Sequence, residues 1–424
     1  MGFSIKVKFG LVYVDVEVEK SCLHRILIPS YYSPLADALF EFKQKIEPLK
    51  STMRNRNIRT LAVIVEDKTR NNPEYPQFLA ELNKLIDQNG RIKKYLVIAY
   101  GTHSKHTTAE NERAYGYRNL RDMETIDHDC NDNALLRDVG KLSTGSRLSV
   151  NKYVAEADFI VTLSSVSPHV FAGYTGGRKI ILPGVASYAN IRENHSKVIL
   201  ENVGVGILSK NPIHEEMTEA AHLLNVDYSI QLVRNNSGEL AGIFADDIDT
   251  AFNAACELCN EINSVTINQY SDVTYVSCGG YPSDANLYSA QRAITTAASI
   301  TRPGGIVVVF GEFPQGMGNE VYERSLHKSL PDLLNLQQNE IDIGVHSAFL
   351  TAKNFSRCTI ILYTNNAGTS SEFINVHSMY DLQRIKQFIN DRCGLEHMAY
   401  FIPNGSNIIC KLKEGSKRSV KRGK

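Results

Sequence analysis

Leu61-Ala-Val-Ile-Val-Glu-Asp-Lys-Thr-Arg70 runs from five apolar residues straight into five polar ones. A short, unbroken apolar run that stops at a polar loop is the pattern of a strand buried on both faces. The residues that follow, PQFLAELNKLIDQNG (76–90), carry apolar side chains at helical spacing and end near Gly90. The arrangement then repeats. KYLVIAYGTHSKHT (94–107) is a strand and loop, TAENERAYG (108–116) a helix, and ADFIVTLSSVSPH (157–169) a third strand and loop. Strand, polar loop, helix, strand predicts an α/β fold with a largely parallel sheet, in which ligands sit beyond the carboxyl ends of the strands. The loops DKTR, GTHSKH and SVSPH therefore fall on one edge of one sheet.

A second series begins near residue 270. SDVTYVSCGG (271–280), ANLYSAQRAITTAASI (285–300), GGIVVVFGEF (304–313), CTIILYTN (358–365) and HMAYFIPNG (397–405) again alternate strand with helix. The chain is thus expected to form two α/β domains, residues 1–268 and 269–424, with an active site in the cleft between them. The opening SIKVKFGLVYVDVEVE (4–19) alternates apolar and polar residues about Phe9-Gly10-Leu11, as a β-hairpin does.

The 424 residues suit two cores of ordinary size, and 46 basic residues balance 46 acidic ones. Zero net charge gives no field that would draw the molecule to nucleic acid or membrane, so a small molecule is the expected partner. The start of the chain lacks the basic stub and apolar run of a secretory signal, and no apolar run approaches the roughly 18 residues of a membrane span. Eight scattered cysteines then read as reduced thiols of a cytoplasmic protein. The one Cys-x-x-Cys, Cys256 and Cys259, lies in a helical stretch without a second pair and reads as thiols on a buried helix face. The last fourteen residues, from about 411, hold seven basic residues and one acid and read as a solvated tail.

The chemistry concentrates in Pro168-His-Val-Phe-Ala-Gly-Tyr-Thr-Gly-Gly-Arg-Lys179. Its glycines mark tight backbone near a ligand. The piece GYTGGRK is close to a phosphate-binding P-loop but fails it, because Arg178 stands for the second glycine and Ile180 for the magnesium-binding hydroxyl. What remains is a glycine loop presenting Lys179, suited to covalent anchoring or a phosphate contact. His195 follows on a helix (ANIRENHSK, 189–197), and His103 and His169 stand at strand ends. Imidazole serves both proton exchange near neutral pH and metal ligation.

With Asn194-His195, that segment resembles the core motif of the nickel-dependent lactate racemases and their hydroxy-acid racemase and epimerase relatives. The resemblance runs along nearly the whole chain. It implies a nickel pincer mononucleotide, a pyridinium-3-thioamide-5-thiocarboxylic acid mononucleotide that holds nickel through sulfur, carbon and sulfur. Lys179 would attach it covalently, with Gly176, Gly177 and Thr69 against it, and His195 would complete the nickel ligands. His103 and His169 match the family's two acid–base histidines, which serve a racemase or epimerase of a 2-hydroxy acid acting by proton-coupled hydride transfer through a transient 2-keto acid. Arg70 matches the substrate-binding arginine, and Asp67 would orient a histidine or the arginine, or else cap the following turn. Tyr288 matches a substrate contact in the second domain, where Ser289 and Arg292 replace the Gln and Lys of lactate racemases. These departures open room for another or larger hydroxy acid. The loop Gly311–Gly318 either borders the site or simply turns the chain. The rivals are a ligand-binding homologue without activity and, against the lack of a Gly-x-Gly-x-x-Gly after a strand, a nicotinamide-dependent dehydrogenase.

Overall fold

The computed structural model describes residues 2–54, 56–86, 91–120, 122–366 and 376–413. The expected helix end near Gly90 and all but the first residues of the basic tail lie outside them. The chain divides into two compact units, Tyr31–Ile262 and Met1–Ser30 with Asn263–Lys424.

The first unit is built on a six-stranded sheet in the order Leu240–Asp246, Tyr228–Arg234, Phe159–Val166, Thr60–Glu66, Lys93–Ala99, Met123–Asp127. All neighbours are parallel except Leu240–Asp246, which runs antiparallel on one edge. Leu61 through Val65 are fully buried, as the unbroken apolar run predicts for a strand covered on both faces. Helix Tyr75–Ile86 packs Phe78, Leu79 and Leu82 into that core, and helix Ala38–Ile46 stacks Phe42 on Phe78 with ring centroids 4.0 Å apart. From Thr60–Glu66 the chain builds outward on one side and then returns to place Phe159–Val166 on the other. The strand order reverses between these two strands, the position where such sheets bind ligands.

The second unit carries a six-stranded, all-parallel sheet in the order Val376–Met379, Thr359–Tyr363, Thr301–Phe310, Ser271–Ser277, Ala399–Ile402, Leu23–Ile26. Two parallel-sheet α/β units agree with the expected fold class; the second resumes at Asn263, close to the expected division at 268, and also takes in residues 1–30. The hairpin Gly2–Phe9/Val12–Glu19 belongs with the second unit, where Val7, Phe9 and Val16 pack on Val273, Val308 and Phe310. Strand Leu23–Ile26 closes that sheet's edge. A two-stranded hairpin cannot bury its apolar face alone, and local alternation does not say which sheet will cover it. The stretch around Ser264–Ile267 pairs in parallel with Ile409–Leu412, so the start of the expected tail is strand. Among the described residues no helix is long and apolar enough to cross a membrane.

Candidate active site

The strand Thr60–Glu66 ends in two acids with different surroundings. Glu66 is fully buried, accepts from the Ser165 backbone N–H at 2.8 Å and its hydroxyl at 2.7 Å, and is pushed up by burial. Asp67 uses both oxygens. One accepts from the Thr69 N–H at 2.7 Å, capping the turn Lys68–Arg70, and the other meets His103 Nδ1 at 2.6 Å. Capping and histidine orientation, set as alternatives in the sequence, are both carried by one carboxylate. Burial pushes the Asp67 carboxyl up, but the His103 hydrogen bond, the charges of His103 and Arg70, and the Thr69 N–H outweigh it. Together they hold it well below the usual carboxylate range. An ionised carboxylate only accepts, so His103 Nδ1 carries the proton and Nε2 is left basic. The His103 side chain is 48% exposed and that of Asp67 only 3%. Lys68 pairs with Glu110 of the capping box that starts helix Thr108–Tyr115, tying the Arg70-bearing turn to the neighbouring loop. The nearby His106 is packed edge-on against Tyr100 and bonded to Asn111 at 3.1 Å.

The segment after strand Phe159–Val166 folds into a minute antiparallel pair, Pro168–His169 with Gly173–Tyr174, that presents Phe171 at its turn. His169 Nδ1 accepts from the Ala172 N–H at 3.3 Å and more weakly from that of Phe171 at 3.5 Å. In the neutral ring the proton then sits on Nε2, the opposite tautomer to His103. The Phe171 ring is the meeting point of three expected site residues. His169 lies edge-on at 4.4 Å, His195 at 4.9 Å, and the Lys179 amine stands 5.5 Å from the ring centroid. All four residues are buried. His195 is carried by helix Tyr188–Ser196, which Ser187 caps by accepting from the Asn190 N–H. Gly101, in the turn that leads to His103, donates its N–H to the Gly184 carbonyl at 2.9 Å, joining the His103 loop to the far end of the Lys179 loop.

Gly176 and Gly177, expected against a bound group, are positions where the packing leaves no room for a side chain. A Cβ on Gly176 would stand 2.7 Å from Gln231 Oε1 and 2.9 Å from the Ser165 carbonyl, and one on Gly177 would stand 2.6 Å from the Phe252 ring. The Gly177 N–H already donates to Gln231 Oε1 at 2.8 Å. Both residues have positive φ, so the loop needs glycine to turn tightly against the sheet and helix Ile248–Asn263. Arg178, which stands where a P-loop has its second glycine, is buried and holds the loop from inside. It donates to the Ala172 carbonyl at 2.7 Å, the Tyr174 carbonyl at 3.1 Å and His214 Nδ1 at 2.8 Å, with its guanidinium 4.1 Å from the Phe252 ring centroid. Burial lowers it to about 10. Cys256 and Cys259 are buried thiols on that same helix, as their spacing suggested.

In the second unit, Tyr288, Ser289 and Arg292 lie in the first two turns of helix Leu287–Ile300, half-buried. Asn286 caps that helix through the Ser289 N–H, and Tyr288 meets Tyr322 edge-on at 5.3 Å. The loop Gly311–Gly318 does more than turn the chain. It is zipped to this segment by Phe313, whose N–H donates to Asp284, by Gln315 donating to Ala285, and by Leu287 and Tyr288 donating back to Gly316 and Met317.

Residues 9–206 match the lactate racemase N-terminal domain model, and residues 266–410 match the lactate racemase C-terminal domain model. The chain belongs to the lactate racemase family, a family of isomerases. It is 30% identical over 273 residues to the lactate racemase of Thermoanaerobacterium thermosaccharolyticum, covering 64% of each chain. It is 30% identical over 276 residues to that of Lactiplantibacillus plantarum, again covering 64% of each. The matches thus span a little under two thirds of these relatives' length. The fold is that of the Thermoanaerobacterium lactate racemase apoprotein, with a TM-score of 0.89, 24% identity, and coverage of 96% of this chain and 100% of the other. A Thermotoga maritima protein of known structure is a more distant match, with a TM-score of 0.63 and 18% identity, over 91% of this chain and 100% of that one.

Proposed function

We propose that this member of the lactate racemase family is a racemase or epimerase of a 2-hydroxy acid that uses a nickel pincer mononucleotide attached through Lys179. The observation that carries the reading is the gathering of Lys179, His195 and His169 about Phe171, on the same sheet edge as the Asp67–His103 pair.

The residues fit such a group. Lys179 is a buried amine beside the Phe171 ring, held where a covalent anchor for an organic group would sit. Among the described residues no three His, Cys, Asp or Glu side chains stand close enough to hold a metal between them. A metal at His195 would suit ligands brought by an organic partner, and sulfur with one imidazole suits nickel and also copper or zinc. When bound, the group supplies a hydride acceptor, which an α carbon beside a carboxylate needs because its hydrogen is a poor acid.

The chain supplies proton transfer and orientation. His103, with Asp67 fixing its proton on Nδ1, presents a basic Nε2 to the substrate hydroxyl. His169, with Nδ1 occupied by backbone N–H groups, presents Nε2–H as the matching acid. Inverting a carbon through a planar 2-keto acid requires one group of each kind, with exchanged duties in the reverse direction. Arg70 offers a planar fork to the substrate carboxylate, Thr69 lies in the same turn, and Tyr288, Ser289 and Arg292 are the second unit's candidate substrate contacts.

The test is the mass of the Lys179 peptide from protein purified out of its native host, with a chiral assay over a panel of 2-hydroxy acids. A mononucleotide adduct on Lys179 together with inversion of at least one acid supports the reading. An unmodified lysine in protein without nickel points instead to a ligand-binding homologue.

A further inference from the structure

Helix Pro212–Leu223 contributes no residue to the cluster above, yet three of its polar side chains reach three separate segments of it. Asn211, the fully buried cap, donates through Nδ2 to the Phe171 carbonyl at 2.8 Å. His214 accepts from Arg178 at 2.8 Å, one residue before Lys179. Glu216 accepts from Asn194 at 2.6 Å and pairs with Lys197 at 2.5 Å, gripping the chain on both sides of His195. Asn194, Lys197 and Glu216 are all buried.

These contacts are expensive ways to hold a fold together. A buried ion pair roughly balances its own desolvation cost, and apolar residues of similar size often stabilise as much. A buried arginine without a carboxylate partner is dearer still. Apolar contacts, however, tolerate sliding, whereas hydrogen bonds fix distance and angle. Burial and the Arg178 charge push His214 down to about 3, which keeps its Nδ1 an acceptor for Arg178 at any physiological pH.

We infer that Asn211, His214 and Glu216 are positioning residues, through which this one helix sets the mutual geometry of Lys179, His195 and the Phe171 turn. The inference deepens the proposed function and rests on its assignment of Lys179 and His195. None of the three is a catalytic residue, since each acts through another side chain or backbone group.

Two variants test it, each with a readout apart from turnover. Glu216→Leu/Lys197→Met removes both charges of the buried pair together, so its melting temperature should stay within about 5 °C of the parent. Its nickel content and its fraction of Lys179 bearing the adduct should nevertheless fall about tenfold or more after expression in a cofactor-producing host. His214→Leu releases Arg178 and should raise the acylation rate of Lys179 by acetic anhydride, in cofactor-free protein, at least about fivefold relative to surface lysines. Parental loading in the first variant together with parental acylation in the second would overturn the inference. A parent lacking both nickel and adduct would sink the racemase reading instead, and the acylation comparison would still decide whether the helix positions Lys179.

Discussion

Two histidines at strand ends on either side of Thr60–Glu66 are held in opposite ways. His103 is half-exposed and donates from Nδ1 to a carboxylate, whereas His169 is buried and accepts backbone N–H groups at the same atom. The first region is a hydrogen-bonded carboxylate–imidazole pair whose imidazole is open to solvent. The second is a packed cluster of aromatic rings and a lysine, in which position is fixed and water has little room. On the proposed function, one sheet edge separates a proton-exchanging half from a group-holding half, and substitutions in the two halves should fail differently.

The largest effect belongs to the buried half. Lys179→Ala should leave no adduct in intact-mass measurement and should remove essentially the whole rate enhancement, at least about a millionfold. Retained turnover with full nickel content would break the division outright. Asp67→Asn comes next. It keeps the shape but puts an amide where His103 needs an ionised acceptor, so the proton can move to Nε2 and the base is lost. Adduct and nickel should stay at parental levels while kcat falls about a hundred- to ten-thousandfold. A drop in cofactor content in this variant would show that the two halves are not separable. Arg70→Lys keeps the charge but loses the fork. It should raise KM about tenfold with a smaller change in kcat, measured on whichever 2-hydroxy acid is inverted.

Much of this was legible in the chain because its signals are local. An apolar run meeting Glu66-Asp67 or Tyr100-Gly101 announces a strand end, and three such ends on one parallel sheet place their loops together whatever the helices between them do. Lys179, His195 and His169 stood out by residue type within a long motif and His103 by its place at a strand end, while their roles came only from the resemblance. Phe171 did not stand out, since an apolar residue beside a histidine carries no chemical label until the fold brings His195 to its ring. Arg178, Asn211, His214 and Glu216 were missed for a related reason. Their bonds join residues far apart in sequence, and each looks alone like a surface polar group. Gly176 and Gly177 were read as tight backbone near a ligand, and the sequence could not show that Gln231 and Phe252 would exclude any side chain there. The hairpin was recognised but grouped with the first unit, because the strands it packs on begin more than two hundred and fifty residues later.

The smallest expected effect is on stability, and it sharpens the same contrast by pH. Beside the buried half, His128 donates to or accepts nothing charged. It bonds the Ala186 carbonyl at 3.0 Å and Asn151 at 3.3 Å, and burial pushes it down from 6.5 to about 4. Between those two values the unfolded chain binds a proton that the folded chain refuses, so stability falls as pH drops through that window. His214, pushed down to about 3, acts in the same direction. Asp67 contributes at lower pH. Its carboxyl is held below the ordinary value, so its contribution is present above about pH 4 and is lost only as pH falls through the folded value. His128→Gln keeps a hydrogen-bonding side chain without the titration. Urea unfolding at pH 7 and pH 5 should show the parent losing about 2 kcal/mol more than the variant over that interval. An equal loss in His128→Gln and the parent would mean that the buried imidazole accepts its proton without unfolding, and that the packed half is more open than its burial implies.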